Sequence, residues 1–321
     1  MPQGKSQTRA GLLMGAGAIL LWSSAASAVL LGSGLMGRWQ FMALACGAGG
    51  ILQLAFYNRV LGMSIGRLLA PPLRIWPMVL LGFVIYQSLW TNAVAMSHKE
   101  QVAGVALTNY LWPTLTILLA IVLVPGTRGS WRLAAAMTLS AAGLVVANWQ
   151  EISKHASSAG GNGASLWPYV LAALAALVWA TYCALLARWK SWTRNYATSP
   201  VGFLAVAAIA AIVCAARGEW VAMEGRSWLI VCLSGLGPYG GGYLLWELSL
   251  HRAPTDKLGL LAAATPVLAT LGLCVVFAMC PMNRPPTSSY PLFLIGAAMI
   301  AAAVLLGVVG KSDTHVKEPQ A

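Results

Sequence analysis

The chain has 321 residues, of which 59% are apolar and only 9% charged, and its formal net charge is +12. A mean hydropathy of +0.73 excludes one water-soluble core and points to a chain that lives in a bilayer. The Lys and Arg residues stand singly between apolar runs, with no basic stripe and no interleaved aromatics, so no nucleic acid partner is expected.

A span needs roughly 20 mainly apolar residues, and ten such segments follow one another along the chain. The first, 11–31, carries Trp22, Ser23 and Ser24, and it is long enough to span rather than to be a cleaved leader. The second is 39–57. The third, 77–97, spaces Phe83, Tyr86 and Trp90 at i, i+3, i+7, with Gln87 and Asn92 nearby. The fourth, 102–123, holds "NYLWPTLTILL" with Asn109, Tyr110, Trp112, Thr114 and a central Pro113. The fifth is 131–149. The sixth, 167–187, carries Trp179, Thr181 and Tyr182; the seventh, 199–216, is read as the shortest and weakest. The eighth, 228–249, places Tyr239, Tyr243 and Trp246 at i, i+4, i+7 on one face. The ninth, 258–280, holds "AATPVLATLGL" with Pro266, and the tenth is 289–310.

Two landmarks recur at nearly fixed offsets. Trp22 and Trp179 stand 157 residues apart in the first helix of each half, and Pro113 and Pro266 stand 153 apart in the fourth. Between the halves runs "HASSAGGNGAS", with the composition of a flexible linker. The chain therefore divides into a first five-helix repeat (1–154), a linker (155–166), a second five-helix repeat (167–310) and a cytoplasmic tail (311–321). An odd number of spans per half forces the second copy to enter from the opposite side, so the repeats are inverted, a plan that serves alternating access in secondary transporters. The fold expected is all-α and polytopic, ten transmembrane helices around a central cavity. Proline removes its own amide donor and clashes with the carbonyl four residues earlier, here that of Asn109 or Ala262. Pro113 and Pro266 are accordingly read as paired kinks, either hinges that let one end of helices 4 and 9 bend or static kinks of the kind common in membrane helices.

Topology follows from charge. Of the 20 Lys and Arg, 14 fall on one side of the ten spans and 6 on the other, and the rich side holds both termini. By the positive-inside rule both termini are cytoplasmic. The six cysteines fall inside or at the ends of spans without ligand spacing, and all four histidines sit in loops or the tail, so no metal site and no cofactor is expected. No ionisable residue lies near the centre of a span; Glu247, near the cytoplasmic end of the eighth, comes closest. That argues against a proton relay and against a fixed charge for a cationic drug. The segment "GLGPYGGGY", 235–243, lacks the lysine of a phosphate loop and reads as small residues that let helices approach. No catalytic residues are assigned: no serine pairs with an intramembrane histidine, and no two intramembrane carboxylates pair. An enzyme acting on lipid or polyprenyl substrates is a weak alternative, because His98 and Glu100 fall on the opposite side from His251 and Asp256. What the spans do offer is aromatic and uncharged polar. They suit a neutral or zwitterionic solute with an apolar body and a few polar handles.

The ten spans, the early Trp22 and Trp179, and the segments "AMSHKEQVAGVALTNYLWPTLTILLA" (95–120) and "LSLHRAPTDKLGLLAAATPVLATLGL" (248–273) resemble the drug/metabolite transporter superfamily in its EamA-type branch. The resemblance covers residues 10–310 and implies a basket of ten helices around a cavity, with helices 5 and 10 peripheral. It implies export of aromatic or other neutral amino acids across a bacterial inner membrane, the same fold serving a broad metabolite or drug exporter as the alternative. It further implies cavity roles for Tyr86, Trp90, Tyr110, Trp112, Trp179, Tyr182, Tyr239, Tyr243 and Trp246. The partners expected are such a solute and the lipid bilayer, with a monomer as the working state. Small four-helix relatives that expel cationic drugs use a glutamate in the first helix. Here Trp22, Ser23 and Ser24 stand instead, which removes the basis for cation/proton exchange.

Overall fold

The computed structural model describes residues 5–125, 129–157, 165–189, 196–253, 255–280 and 285–312. The chain is 83% helical and holds no strand among these residues. Nine helical stretches are long and apolar enough to cross a membrane, and a tenth is apolar but shorter. In chain order they are α1 (Ser6–Met36), α2 (Arg38–Arg59), α3 (Leu73–Ala95), α4 (Val102–Leu123), α5 (Trp131–Ala147), α6 (Trp167–Arg188), α7 (Ser199–Ala216), α8 (Gly225–Leu250), α9 (Lys257–Met279) and α10 (Ser289–Val308). The chain is thus a multi-pass membrane protein. The weak member is α5, with 17 residues, whereas the 18 residues of α7 suffice to count as a span. From the sequence the seventh span is expected to be the weaker; the fifth, expected over 131–149, ends instead at Ala147 with Asn148 as its C-cap. A further helix, Trp149–Ser157, occupies the first residues of the expected linker; 158–164 lie outside the described residues.

The surface is apolar where a soluble protein's would be polar. Leu20 is 63% exposed, Val122 78% and Met279 75%, side chains that a bilayer solvates without cost. Polar side chains turn inward instead: Gln40, Gln53, Gln87, Gln101 and Asn109 are all buried. In lipid there is no hydrophobic drive between helices, so close packing of small residues must hold them together. The pairs α2/α7 and α5/α10 pack most extensively, and glycines let the second pair meet backbone to backbone. A Cβ on Gly296 would stand 2.5 Å from the Gly143 carbonyl oxygen and 2.7 Å from the Ala147 Cβ. Those neighbours are backbone or backbone-fixed and cannot swing away. Gly296→Ala is therefore expected to cost about 1–3 kcal/mol by overpacking, read as a drop in the thermal midpoint of the detergent-solubilised protein. Gly34→Ala is the control, since nothing lies within 4 Å of its Cβ. Equal midpoints for both variants would contradict the packing argument.

Five of the ten stretches are irregular within the membrane, and each irregularity has a local cause. In α4 the helix stops at Asn109 and restarts at Trp112; in α9 it stops at Ala262 and restarts at Thr265. Pro113 and Pro266 occupy the second position of the restarted segments, where a proline needs no donor. The two breaks match bond for bond. Tyr110 and Ala263 donate four residues back at 3.2 and 3.3 Å, and Leu111 and Ala264 donate three residues back at 3.3 and 3.0 Å. The break in α1, at Ser23–Ser24, has no proline; the Ser23 and Ser24 hydroxyls bond the Ile19 and Leu21 carbonyls at 2.7 Å each and compete with the helix ladder. The other two irregularities are wide turns, Leu80–Ile85 in α3 and Gly235–Gly242 in α8. The second contains Pro238 and a non-helical Gly237. Carbonyls loosened there find a partner in Gln53 of α2, whose amide donates to the Tyr239 and Gly240 oxygens at 2.9 and 3.0 Å. The glycines also permit contact, as the sequence reading expected: a Cβ on Gly240 would come within 3.2 Å of the Gly49 Cα.

Candidate functional site

The irregular turns converge on one cavity at the middle of the bundle. It is lined by Trp22 and Ala25 of α1, Tyr86, Gln87 and Trp90 of α3, Asn109, Tyr110 and Trp112 of α4, Trp179 of α6, Pro238, Tyr239 and Tyr243 of α8, and Thr265 of α9. Trp22 is the last residue before the α1 break, Tyr86 the first after the α3 wide turn, and Tyr243 the first after that of α8. Tyr110 lies in the α4 break and Thr265 directly follows the α9 break. Irregular backbone in a bilayer is tolerated where it is buried in protein or lines such a space. No residue of α2, α5, α7 or α10 reaches the cavity, so α5 and α10 are peripheral to it.

Rings make most of the wall. Trp179 is the hub, with ring centroids 4.9 Å from Tyr86, 5.0 Å from Tyr182, 5.6 Å from Tyr243, 6.2 Å from Trp22 and 6.3 Å from Trp112. Trp22 meets Tyr243 at 5.1 Å, the counterpart of the Trp179–Tyr86 contact. The two contacts are related by the sequence offset itself, because Tyr86 and Tyr243 stand 157 residues apart, as do Trp22 and Trp179. Trp112 and Thr265 share the other offset, 153, and both line the cavity.

Polar groups are few and uncharged. The Gln87 amide nitrogen donates to the Tyr243 hydroxyl at 2.8 Å, and that of Asn109 to the Tyr86 hydroxyl at 3.2 Å. Both amide oxygens are left buried and unpartnered, as are the Trp22 Nε1, the Tyr110 hydroxyl and the Thr265 hydroxyl. A buried polar group without a partner costs about 1–3 kcal/mol, and these groups give the space several polar handles that water or a polar ligand can satisfy. The cavity itself is small, about 40 Å³, enough for a few waters and too little for an indole. The rings now fill the space they enclose.

Of the nine aromatics expected at the site, seven line the cavity and two stand behind it. Tyr182 backs Trp179, and Trp246 packs on Trp22 at 5.2 Å. Phe83, on the same predicted face as Tyr86 and Trp90, is likewise displaced; it packs on Phe203 at 5.3 Å because the wide turn at 80–85 resets the helical register between it and Tyr86. Thr265 and Pro238 were not singled out by the sequence. Cys46 and Cys214 are buried as expected, whereas Cys232 is exposed on α8; all six thiols are free.

No protein-family model matches the chain. Sequence comparison does find relatives. A protein of Ancylobacter novellus named aromatic amino acid exporter YddG is 30% identical over 92% of this chain and 94% of its own length. The chain belongs to the YddG family. With it comes membership of the drug/metabolite transporter superfamily, the resemblance carried by the segments at 95–120 and 248–273. The YddG of Escherichia coli is 25% identical over 66% of this chain. A crystal structure 26% identical to the chain superposes with a TM-score of 0.68 over 94% of this chain and 98% of the other.

Proposed function

We propose that the chain exports aromatic and other neutral amino acids across a bacterial inner membrane, by alternating access between two inverted five-helix repeats with both termini in the cytoplasm. The observation that carries this reading is the cavity: aromatic walls, unpartnered dipoles and no charged lining residue. A zwitterion brings an ammonium, for which the Gln87 and Asn109 amide oxygens are acceptors, and a carboxylate, for which Trp22, Tyr110 and Thr265 are donors. Its aromatic side chain would stack between rings that now touch one another. A fixed carboxylate for a cationic drug is missing from the wall, which favours amino acids over a broad drug range. The names of the relatives, exporters of aromatic amino acids, agree; they also favour a transporter over an enzyme.

Support for the repeats is the matched pair of breaks in α4 and α9 and the crosswise Trp–Tyr contacts, each spaced by the offsets that relate the halves. Support for the orientation is the 14 to 6 division of Lys and Arg. The test is uptake of labelled phenylalanine into proteoliposomes holding the purified protein, with unlabelled tryptophan, arginine or a cationic dye as competitor. Saturable uptake blocked by tryptophan alone is the expected result. Uptake blocked by the dye would turn the reading to a drug exporter, and absence of uptake with folded protein would overturn the amino-acid substrate.

A further inference from the structure

Glu247 is the one Asp or Glu inside α1–α10, and the cavity does not use it. It sits four residues past Tyr243, about 6 Å further along α8, between the cavity and the end of the helix at Leu250. A carboxylate at that depth must be held by donors. It accepts a hydrogen bond from the Tyr57 hydroxyl of α2 and another, at 2.9 Å, from the Ser199 hydroxyl at the first turn of α7. Tyr57 and Ser199 are themselves buried. One side chain therefore ties the ends of three helices together, and it sits at the start of α7, where the first backbone N–H groups of that helix lack partners within it.

The α8 segment that carries it is attached through a weak point. Gly235–Gly242, just before Tyr243, contains five glycines, Pro238 and the non-helical Gly237, so the Tyr243–Leu250 turns have freedom that a continuous helix would lack. The same segment presents Tyr243 to the cavity and Glu247 to α2 and α7. The position related to Glu247 by the 157-residue offset is Trp90, which lines the cavity and packs on Tyr110 at 6.4 Å. The two offset-related positions thus carry different chemistry: a ring on the cavity wall at one, a hydrogen-bonded carboxyl group beyond the cavity at the other.

We propose that Glu247, through Tyr57 and Ser199, is the latch that holds the cavity shut towards the cytoplasm, and that loading of substrate requires its release. It is a positioning residue, acting through the α8 segment and not on the substrate. The word cytoplasm rests on the orientation given above, and the latch on the geometry alone. Opening is read without substrate. In a chain whose six cysteines are replaced by alanine, Ala25→Cys puts a thiol on the cavity wall, and oriented membrane vesicles expose either face to an impermeant thiol reagent. Adding Glu247→Ala is expected to raise the labelling rate from the cytoplasmic face about tenfold, the effect of losing buried hydrogen bonding, with no change from the other face. Tyr57→Phe and Ser199→Ala, each removing one donor and little volume, should give smaller rises on the same face. They carry the test if Glu247→Ala does not fold. No rise in any variant, or an equal rise from both faces, overturns the latch. A rise from the opposite face alone upholds the latch and overturns the orientation, while phenylalanine uptake, measured separately, can fail without touching either.

Discussion

Trp179→Ala is expected to raise the KM for phenylalanine and tryptophan about a hundredfold while raising that for alanine or valine severalfold at most. Trp179 touches five other rings and is 4% exposed. Aromatic pairs contribute roughly 0.5–1.5 kcal/mol each beyond their buried area, and truncating a buried Trp to Ala costs about 3–5 kcal/mol. Part of that loss falls on stability, which is why selectivity is the readout. A fold weakened in general would lower transport of every substrate alike, whereas loss of a stacking face penalises the substrates that stack. The same comparison for Trp90→Ala and Tyr243→Ala should give smaller penalties of the same kind, since each makes fewer ring contacts on the cavity. Trp179→Phe keeps a ring and should recover most of the discrimination. An unchanged ratio of aromatic to aliphatic KM in Trp179→Ala would remove the aromatic wall from the account of specificity.

The spans and most of the wall were legible in the sequence because each rests on a local signal. Apolar runs of span length announce themselves, prolines mark breaks, and Trp or Tyr set several residues inside a span needs a polar partner that only the interior supplies. What was not legible depends on neighbours from distant parts of the chain. The α3 wide turn over "LLGFVI" has one glycine and no proline to signal it, yet it decides that Tyr86 enters the cavity and Phe83 does not. Thr265 looks like an ordinary residue beside a proline until the fold places it on the cavity wall with Trp22 and Tyr110. Glu247 read as an end-of-helix charge because its partners lie 190 and 48 residues away. The α1 break is an intermediate case. Two adjacent serines are a weak signal alone, but their hydroxyls take two ladder carbonyls, and that suffices in a helix already bordered by a cavity.

Restoring a continuous helix should be nearly as damaging as removing the wall. In Pro113→Ala/Pro266→Ala the new amides can donate to the Asn109 and Ala262 carbonyls, closing ladders that the two prolines keep open, a change on the order of 3 kcal/mol per site in helix preference. Straightening α4 and α9 would carry Tyr110 and Trp112 on one side, and Thr265 on the other, away from positions fixed by the breaks. Because both breaks have the same bond pattern and the same proline position, the effect should be similar for either single variant and larger together. The expected result is folded protein with a thermal midpoint equal to or above that of the parent and a transport rate down at least about tenfold, corresponding to ~1.4 kcal/mol on the rate-limiting conformational change. That combination, stability kept and turnover lost, separates a hinge from a kink that merely shapes the wall. If the kinks are static, KM should move with the displaced aromatics and the maximal rate should hold. Unchanged KM and unchanged rate together would mean that the breaks persist without their prolines, held by the packing of α4 and α9 against the cavity alone.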